Sequence, residues 1–185
     1  MTSRIHTRNR RMDKIVVTAI IAALYVVLTV ISSAFGLSYS VIQFRLSEAL
    51  TILPVFSPYA ITGLTLGCFI ANLTSPLGLI DIVVGTFSTY ISAYLTRRLA
   101  CIKFKEIPIL SPLPPVCIGA IMVGAMLSVV MPQDFSPYAF AVSAISVGIG
   151  QFVVCYGLGL PLLFLVRKLK IFENQEHKQE NFCNE

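Results

Sequence analysis

Apolar residues along this chain fall into six runs, separated by short stretches of glycine, proline and polar residues. The first covers about Lys14 to Phe35 and gives way to Gly36-Leu37-Ser38-Tyr39-Ser40, a polar loop. A second, short run covers about Ile42 to Phe56 and stops at Ser57-Pro58. A third runs from about Tyr59 to Leu73, stopped by Thr74-Ser75-Pro76, and a fourth from about Leu77 to Leu95, reaching Arg97-Arg98. Beyond the basic loop Lys103-Phe104-Lys105-Glu106, a fifth spans about Pro112 to Val130 and ends at Met131-Pro132-Gln133-Asp134. The last runs from about Tyr138 to Val166 and closes on Arg167-Lys168-Leu169-Lys170. About 20 apolar residues cross a hydrocarbon core of roughly 30 Å, so these runs read as membrane helices. The second falls short, because about 15 residues rise only about 1.5 Å each in an α-helix.

Charge placement decides whether that second run crosses. Thirteen of the fourteen Lys and Arg residues lie in three clusters at the ends of apolar runs. Such clusters stay on the cytoplasmic side. With six crossings all three lie inside; with five, Arg97, Arg98, Lys103 and Lys105 would be carried outside. The expectation is therefore an all-α integral membrane bundle of six transmembrane helices with both termini cytoplasmic. Residues 1–13 form a basic N-terminus, 14–168 the membrane domain and 169–185 a polar tail. The pattern Arg4 to Lys14 followed by Ile15 to Ile31 resembles a signal peptide, but its apolar run exceeds the usual stretch of about 7 to 15 residues, so it reads as a retained first helix.

Composition agrees. Of 185 residues 56% are hydrophobic and 12% charged, with a mean hydropathy of +0.80. That is half the roughly 25% charge of a soluble domain, and about six spans of roughly 20 to 25 residues with short loops fill the length, leaving no room for a soluble catalytic domain. The net charge of +5 reads as positive-inside bias and lipid headgroup contact, not as a nucleic-acid surface. Five scattered cysteines and two histidines form no metal or cofactor pattern, and the cysteines read as small packing residues.

The remaining polar residues point to chemistry. Arg45 is the one base outside the clusters, and Glu48 lies three positions on, so the two are expected to share a helix face. On the six-crossing topology Gln43, Arg45, Ser47, Glu48, Asn72, Thr74, Asp81, Gln133, Asp134 and Tyr138 all fall on the outer side, and only Gln151 lies deep in the last helix. This describes a cavity open outward with a nearly apolar floor. Asn72, Thr74, Gln133 and Asp134 also suit ordinary caps or interfacial anchors. Two acids against one base, however, leave a structural ion pair unable to account for both Glu48 and Asp81. On the first helix Ala19, Ala22 and Ala23 form a small-residue face suited to close approach by another helix, or simply to packing within the bundle. The chain lacks a Walker A loop, a His-Glu-x-x-His helix and a Gly-x-Ser-x-Gly elbow, which argues against an enzyme and against ATP hydrolysis by this chain. It also lacks matched, Gly/Pro-broken helix pairs, so a partner is expected to supply the drive.

Four segments carry a family resemblance: Phe44-Arg45-Leu46-Ser47-Glu48-Ala49-Leu50-Thr51-Ile52-Leu53-Pro54, Gly67-Cys68-Phe69-Ile70-Ala71-Asn72-Leu73, Gly78-Leu79-Ile80-Asp81-Ile82-Val83-Val84-Gly85-Thr86, and Val154-Cys155-Tyr156-Gly157-Leu158-Gly159-Leu160-Pro161-Leu162. Together they resemble the QueT family, substrate-binding S components of energy-coupling-factor (ECF) transporters for queuosine precursors. The resemblance covers roughly Lys14 to Lys168, with Gln151 standing where the family often has Glu. It implies a multi-pass protein of the bacterial plasma membrane that binds substrate from outside and topples against the coupling protein EcfT, with two ATPases hydrolysing ATP. It implies contact with EcfT through Ala19 and Ala23, and a gate formed by the loop from Gly36 to Gln43. A 7-deazaguanine offers a ring N–H and an amine side by side, which one carboxylate accepts together, so Glu48 or Asp81 fits that edge. Arg45 suits either the carbonyl or orienting the acid, Asn72 offers both donor and acceptor, and Phe44, Tyr39 and Tyr138 suit stacking. An aminomethyl substituent would want the second acid. The rival readings are a stand-alone secondary permease, another vitamin-type S component, and a structural membrane protein whose charges only pack.

Overall fold

A computed structural model describes residues 2–36, 44–102, 108–130, 137–169 and 172, the side chains of residues 2–13 and of Ala139 aside. The described residues are helical, with no strand among them. They form α1 (Thr2–Ala34), a 3-10 helix (Leu46–Val55), α2 (Tyr59–Asn72), α3 (Leu79–Leu99), α4 (Leu113–Val130), α5 (Pro137–Val154), a π-helical turn (Cys155–Gly159) and α6 (Leu160–Lys168). Four stretches are long and apolar enough to cross a membrane: Lys14–Ala34, Leu79–Leu99, Leu113–Val130 and Phe140–Lys168. The 3-10 helix and α2 are shorter apolar helices. The basic segment before Lys14 continues α1 as helix, and the expected last helix is one run with a π turn inside it.

The short second element is a 3-10 helix, and its length stays below the roughly 30 Å of a hydrocarbon core. A 3-10 helix rises about 2.0 Å per residue against about 1.5 Å for an α-helix, so its ten residues extend about 20 Å. Runs of this length are uncommon because the hydrogen bonds are poorer, and tertiary contact supplies what they lack. Every residue from Ser47 to Val55 is buried. Helices α1 to α5 each pack on the next in chain order, and the 3-10 helix touches α1, α2, α3, α5, α6 and the π turn. It is the axis of the bundle. Its first N–H, at Leu46, donates to Ser32 Oγ of α1 at 3.0 Å, so α1 caps it from the side.

Two apolar clusters hold the bundle. One joins Tyr25, Leu50, Ile52, Leu53, Phe56, Leu64 and Leu163 across α1, the 3-10 helix, α2 and α6; the other joins Val123, Met126, Leu127 and Val147 across α4 and α5. Large apolar side chains also cover the outside, among them Ile20, Leu24 and Val27 on α1 and Val83 and Phe87 on α3, as a lipid-facing surface requires. Of the cysteines, Cys68 and Cys155 are buried as packing residues. Cys117 is exposed on α4 and Cys101 is disulfide-bonded, so the packing role expected of all five does not extend to these two. Cys183 lies outside the described residues, as do the basic loop 103–107 and almost all of the tail.

Close helix approach depends on glycine. A Cβ on Gly67 of α2 would sit 2.7 Å from Tyr25 Cβ and 2.9 Å from the Ala22 carbonyl oxygen of α1. Gly63, one turn earlier, meets the Thr18 carbonyl at the same 2.9 Å, so α2 presents a Gly-x-x-x-Gly face to α1. Gly67→Val should lower stability in detergent by about 1–3 kcal/mol through overpacking. Gly148→Ala, whose Cβ would meet Ala120 Cβ at an ordinary 3.4 Å, should not lower it. Thermal unfolding of the two variants checks the contrast.

Candidate functional site

The polar centre of the bundle is built where α3 begins. Gly78 takes φ 68°, a conformation open to glycine, and turns the chain so that Asp81 falls in the first turn of α3. The Asp81 carboxylate is fully buried. One of its oxygens accepts from Ser75 Oγ at 2.5 Å and from Arg45 Nη2 at 3.2 Å, and the other lies 3.4 Å from the same Arg45 nitrogen. Asn72 Nδ2 donates to the Asp81 backbone carbonyl at 3.0 Å. A Cβ on Gly85 would lie 2.5 Å from that Nδ2, so glycine one turn beyond Asp81 makes room for the amide.

Arg45 does not pair with Glu48. The 3-10 helix begins only at Leu46, and Arg45 stands before it in extended conformation, φ −96° and ψ 101°, so the shared helix face expected for the two residues is absent. Glu48 instead takes a hydrogen bond from Tyr25 Oη at 2.9 Å. Further up α1, Thr29 Oγ1 lies 2.9 Å from Ser47 Oγ. The Glu48 backbone carbonyl accepts from Thr51 Oγ1 at 2.6 Å and from Cys155 Sγ of the π turn at 3.6 Å.

Below the ion pair is a small cavity of about 20 Å³, room for a water or two, walled by Arg45, Glu48, Gly85, Ser88, Thr89, Ser92, Val123, Val147 and Gln151. The expected apolar floor is thus a hydroxyl-lined one. Gln151 Oε1 and Arg45 Nε are buried without a hydrogen-bond partner. Gln151 lies against Gly119 of α4, where a Cβ would fall within van der Waals contact of its whole amide. A second cavity, about 280 Å³, lies on the other side of Arg45 between α1 and the end of α2, with Thr29, Ser33, Asn72 and Thr74 in its wall.

The structure therefore brings together Arg45, Glu48, Asn72, Asp81 and Gln151 of the residues expected at a site. Phe44 is half-buried beside Arg45 and lines neither cavity, and Tyr138 is 79% exposed at the start of α5, away from both. Tyr39, Gln43, Gln133, Asp134 and most of the expected gate lie outside the described residues. Sequence reasoning missed Tyr25, Ser75, Ser88, Ser92 and Gly119. The spacing of Asp81, Gly85, Ser88, Ser92 and Thr96, all buried on α3, carried a helical signal for three of the site's walls.

The alanines divide. Ala22 is buried between α1 and α2, while Ala19 and Ala23 are exposed. All three line an open, almost wholly apolar groove of about 810 Å³ between the two helices.

Breaking a buried pair by removing one partner costs about 3–5 kcal/mol, whereas replacing both with apolar residues is often nearly neutral. Arg45→Met should accordingly destabilise the protein in detergent by that order, and Arg45→Met with Asp81→Leu should recover most of the loss in thermal unfolding.

Comparison with known proteins bears on what this centre does. The model of the family described as QueT transporter matches residues 15–168. The chain is 43% identical over 92 residues to the queuosine precursor transporter QueT of Lactococcus lactis subsp. cremoris (strain MG1363). That alignment spans 50% of the chain and 53% of the relative, about half the length of each. No solved structure matches.

Proposed function

The chain belongs to the QueT transporter family, a family of transporters and not of enzymes, and on that premise we propose that it is the substrate-binding subunit of an ATP-driven ECF importer. In this reading it captures a queuosine precursor, a 7-deazaguanine derivative, at the outer face of the bacterial plasma membrane. It then delivers the substrate through EcfT and two ATPases. One observation carries the reading: buried polar groups converge on a cavity inside an apolar bundle, and two of their atoms, Arg45 Nε and Gln151 Oε1, are unpartnered. Polar groups left unsatisfied at membrane depth are costly, so their retention marks a ligand site.

Topology supports it. Lys14 lies 5.2 Å over the Tyr59 ring at one end of the bundle, whereas Asp81 belongs to the opposite end of α3 from Arg97 and Arg98. With Arg167 and Lys168 ending α6, positive-inside bias favours six crossings, both termini inside and the Arg45 centre toward the outside. The 3-10 helix then makes the second crossing. Within the centre we assign Arg45, Glu48 and Gln151 to the base, Asn72 to the wall, and Asp81 chiefly to holding Arg45. Phe44 and Tyr138 line neither cavity, so no stacking role is assigned to them, and Tyr39 lies outside the described residues. The groove at Ala19 and Ala23 suits a helix of EcfT, because small residues permit close backbone approach.

The buried hydroxyl stripe on α3, Ser88, Ser92 and Thr96, favours a second reading, a stand-alone permease with its own polar path. Reconstitution separates the two. The chain alone in vesicles should bind a 7-deazaguanine saturably without accumulating it, and adding EcfT, the ATPases and ATP should start uptake. Replacing Ala19 and Ala23 together by Leu should leave binding intact and abolish that uptake. Accumulation by the isolated chain under an ion gradient would establish the permease instead.

A further inference from the structure

Arg45 is a wall common to both cavities. Neither cavity alone suits a fused bicyclic base that carries a substituent. The inner one, at about 20 Å³, has room for water; the outer one, at about 280 Å³, is lined by hydroxyls, apolar groups, Asn72 and Arg45 and contains no acid. Together they reach the lower end of the range for small-molecule sites, about 300 to 1,000 Å³.

The groups facing the inner cavity are complementary to one edge of such a base. Arg45 Nε–H is a donor without a partner, and Gln151 Oε1 is an acceptor without one. The Glu48 carboxylate takes the Tyr25 hydrogen bond on Oε1, which leaves Oε2 as a second acceptor. The six-membered ring of a 7-deazaguanine presents an acceptor, a donor and a donor in order: carbonyl, ring N–H and amine. One donor and two acceptors in the wall match that order. The 7-position lies on the carbonyl side of the ring system. A base with its carbonyl at Arg45 therefore sends its 7-substituent past Arg45, toward the outer cavity.

Resting on the functional reading above, we infer that the two cavities are halves of one substrate site. The inner half reads the base through Arg45, Glu48 and Gln151, and the outer half, between Thr29, Ser33 and Thr74, receives the 7-substituent. The halves join when the Arg45 side chain shifts, and its tether to Asp81 runs through a single nitrogen, Nη2.

Calorimetry on the purified full-length chain tests this with two probes, 7-deazaguanine, which has no 7-substituent, and queuine, which has a large one. Thr74→Trp, at the exposed rim of the outer half, should weaken queuine at least about tenfold more than 7-deazaguanine. Gln151→Leu should weaken both by about tenfold or more, and Gln151→Glu, which keeps an acceptor oxygen and the shape, should recover both. Equal effects of Thr74→Trp on the two probes would overturn the two-half site, as would a Gln151→Glu protein as weak as Gln151→Leu. A wild-type protein that binds neither probe would overturn the functional reading itself, and this inference with it.

Discussion

A guanidinium inside an apolar bundle must have a carboxylate within reach, and Arg45 takes one that is 36 residues further along the chain. That choice organises the centre. It ties the start of the 3-10 helix to the first turn of α3, and it draws in Ser75 and Asn72, which bond the side chain and the backbone of the same Asp81. It also leaves Glu48, the nearer acid, to Tyr25 and the inner cavity. One pair thus takes the Asp81 carboxylate and leaves the Glu48 carboxylate facing the inner cavity.

The irregular helices lie around that pair. Ten residues of 3-10 helix and a π turn pack against each other beside it, and a thiol of the π turn reaches the Glu48 backbone carbonyl. A 3-10 helix turns more tightly than an α-helix, and a π turn more loosely, so each presents side chains at angles that regular helices do not offer. Gly159 of the π turn would place a Cβ only 3.4 Å from the Ala49 carbonyl oxygen, so the two elements meet nearly backbone to backbone. The polar centre sits between two apolar clusters, with Val123 and Val147 serving as both cavity wall and core.

Much of this was legible in the chain. A lone arginine, two acids and a deep glutamine in otherwise apolar runs identified four of the central residues, because polar groups at membrane depth are rare enough to stand out. The partners were not legible. Pairing Arg45 with Glu48 assumed a helix through both, and the helix starts one residue too late. Tyr25 is hidden in an apolar run because its ring belongs to the core and only its hydroxyl to the site. Ser88 and Ser92 are small residues of a kind common in membrane helices, and Gly119 acquires meaning only from the Gln151 amide packed on it from another helix. Helix type was out of reach too, since it is tertiary burial that holds Leu46–Val55 as a 3-10 helix.

The central claim is that the acid left without a cation, Glu48, is there for a ligand. The most direct measurement is the affinity of the purified Glu48→Gln protein for a 7-deazaguanine, taken with its thermal stability. Losing a charged hydrogen-bond partner costs about 1.5–3 kcal/mol, so affinity should fall at least about tenfold while the protein stays folded. A Glu48→Gln protein that binds within about twofold of wild type, where no such partner has been lost, would contradict the account.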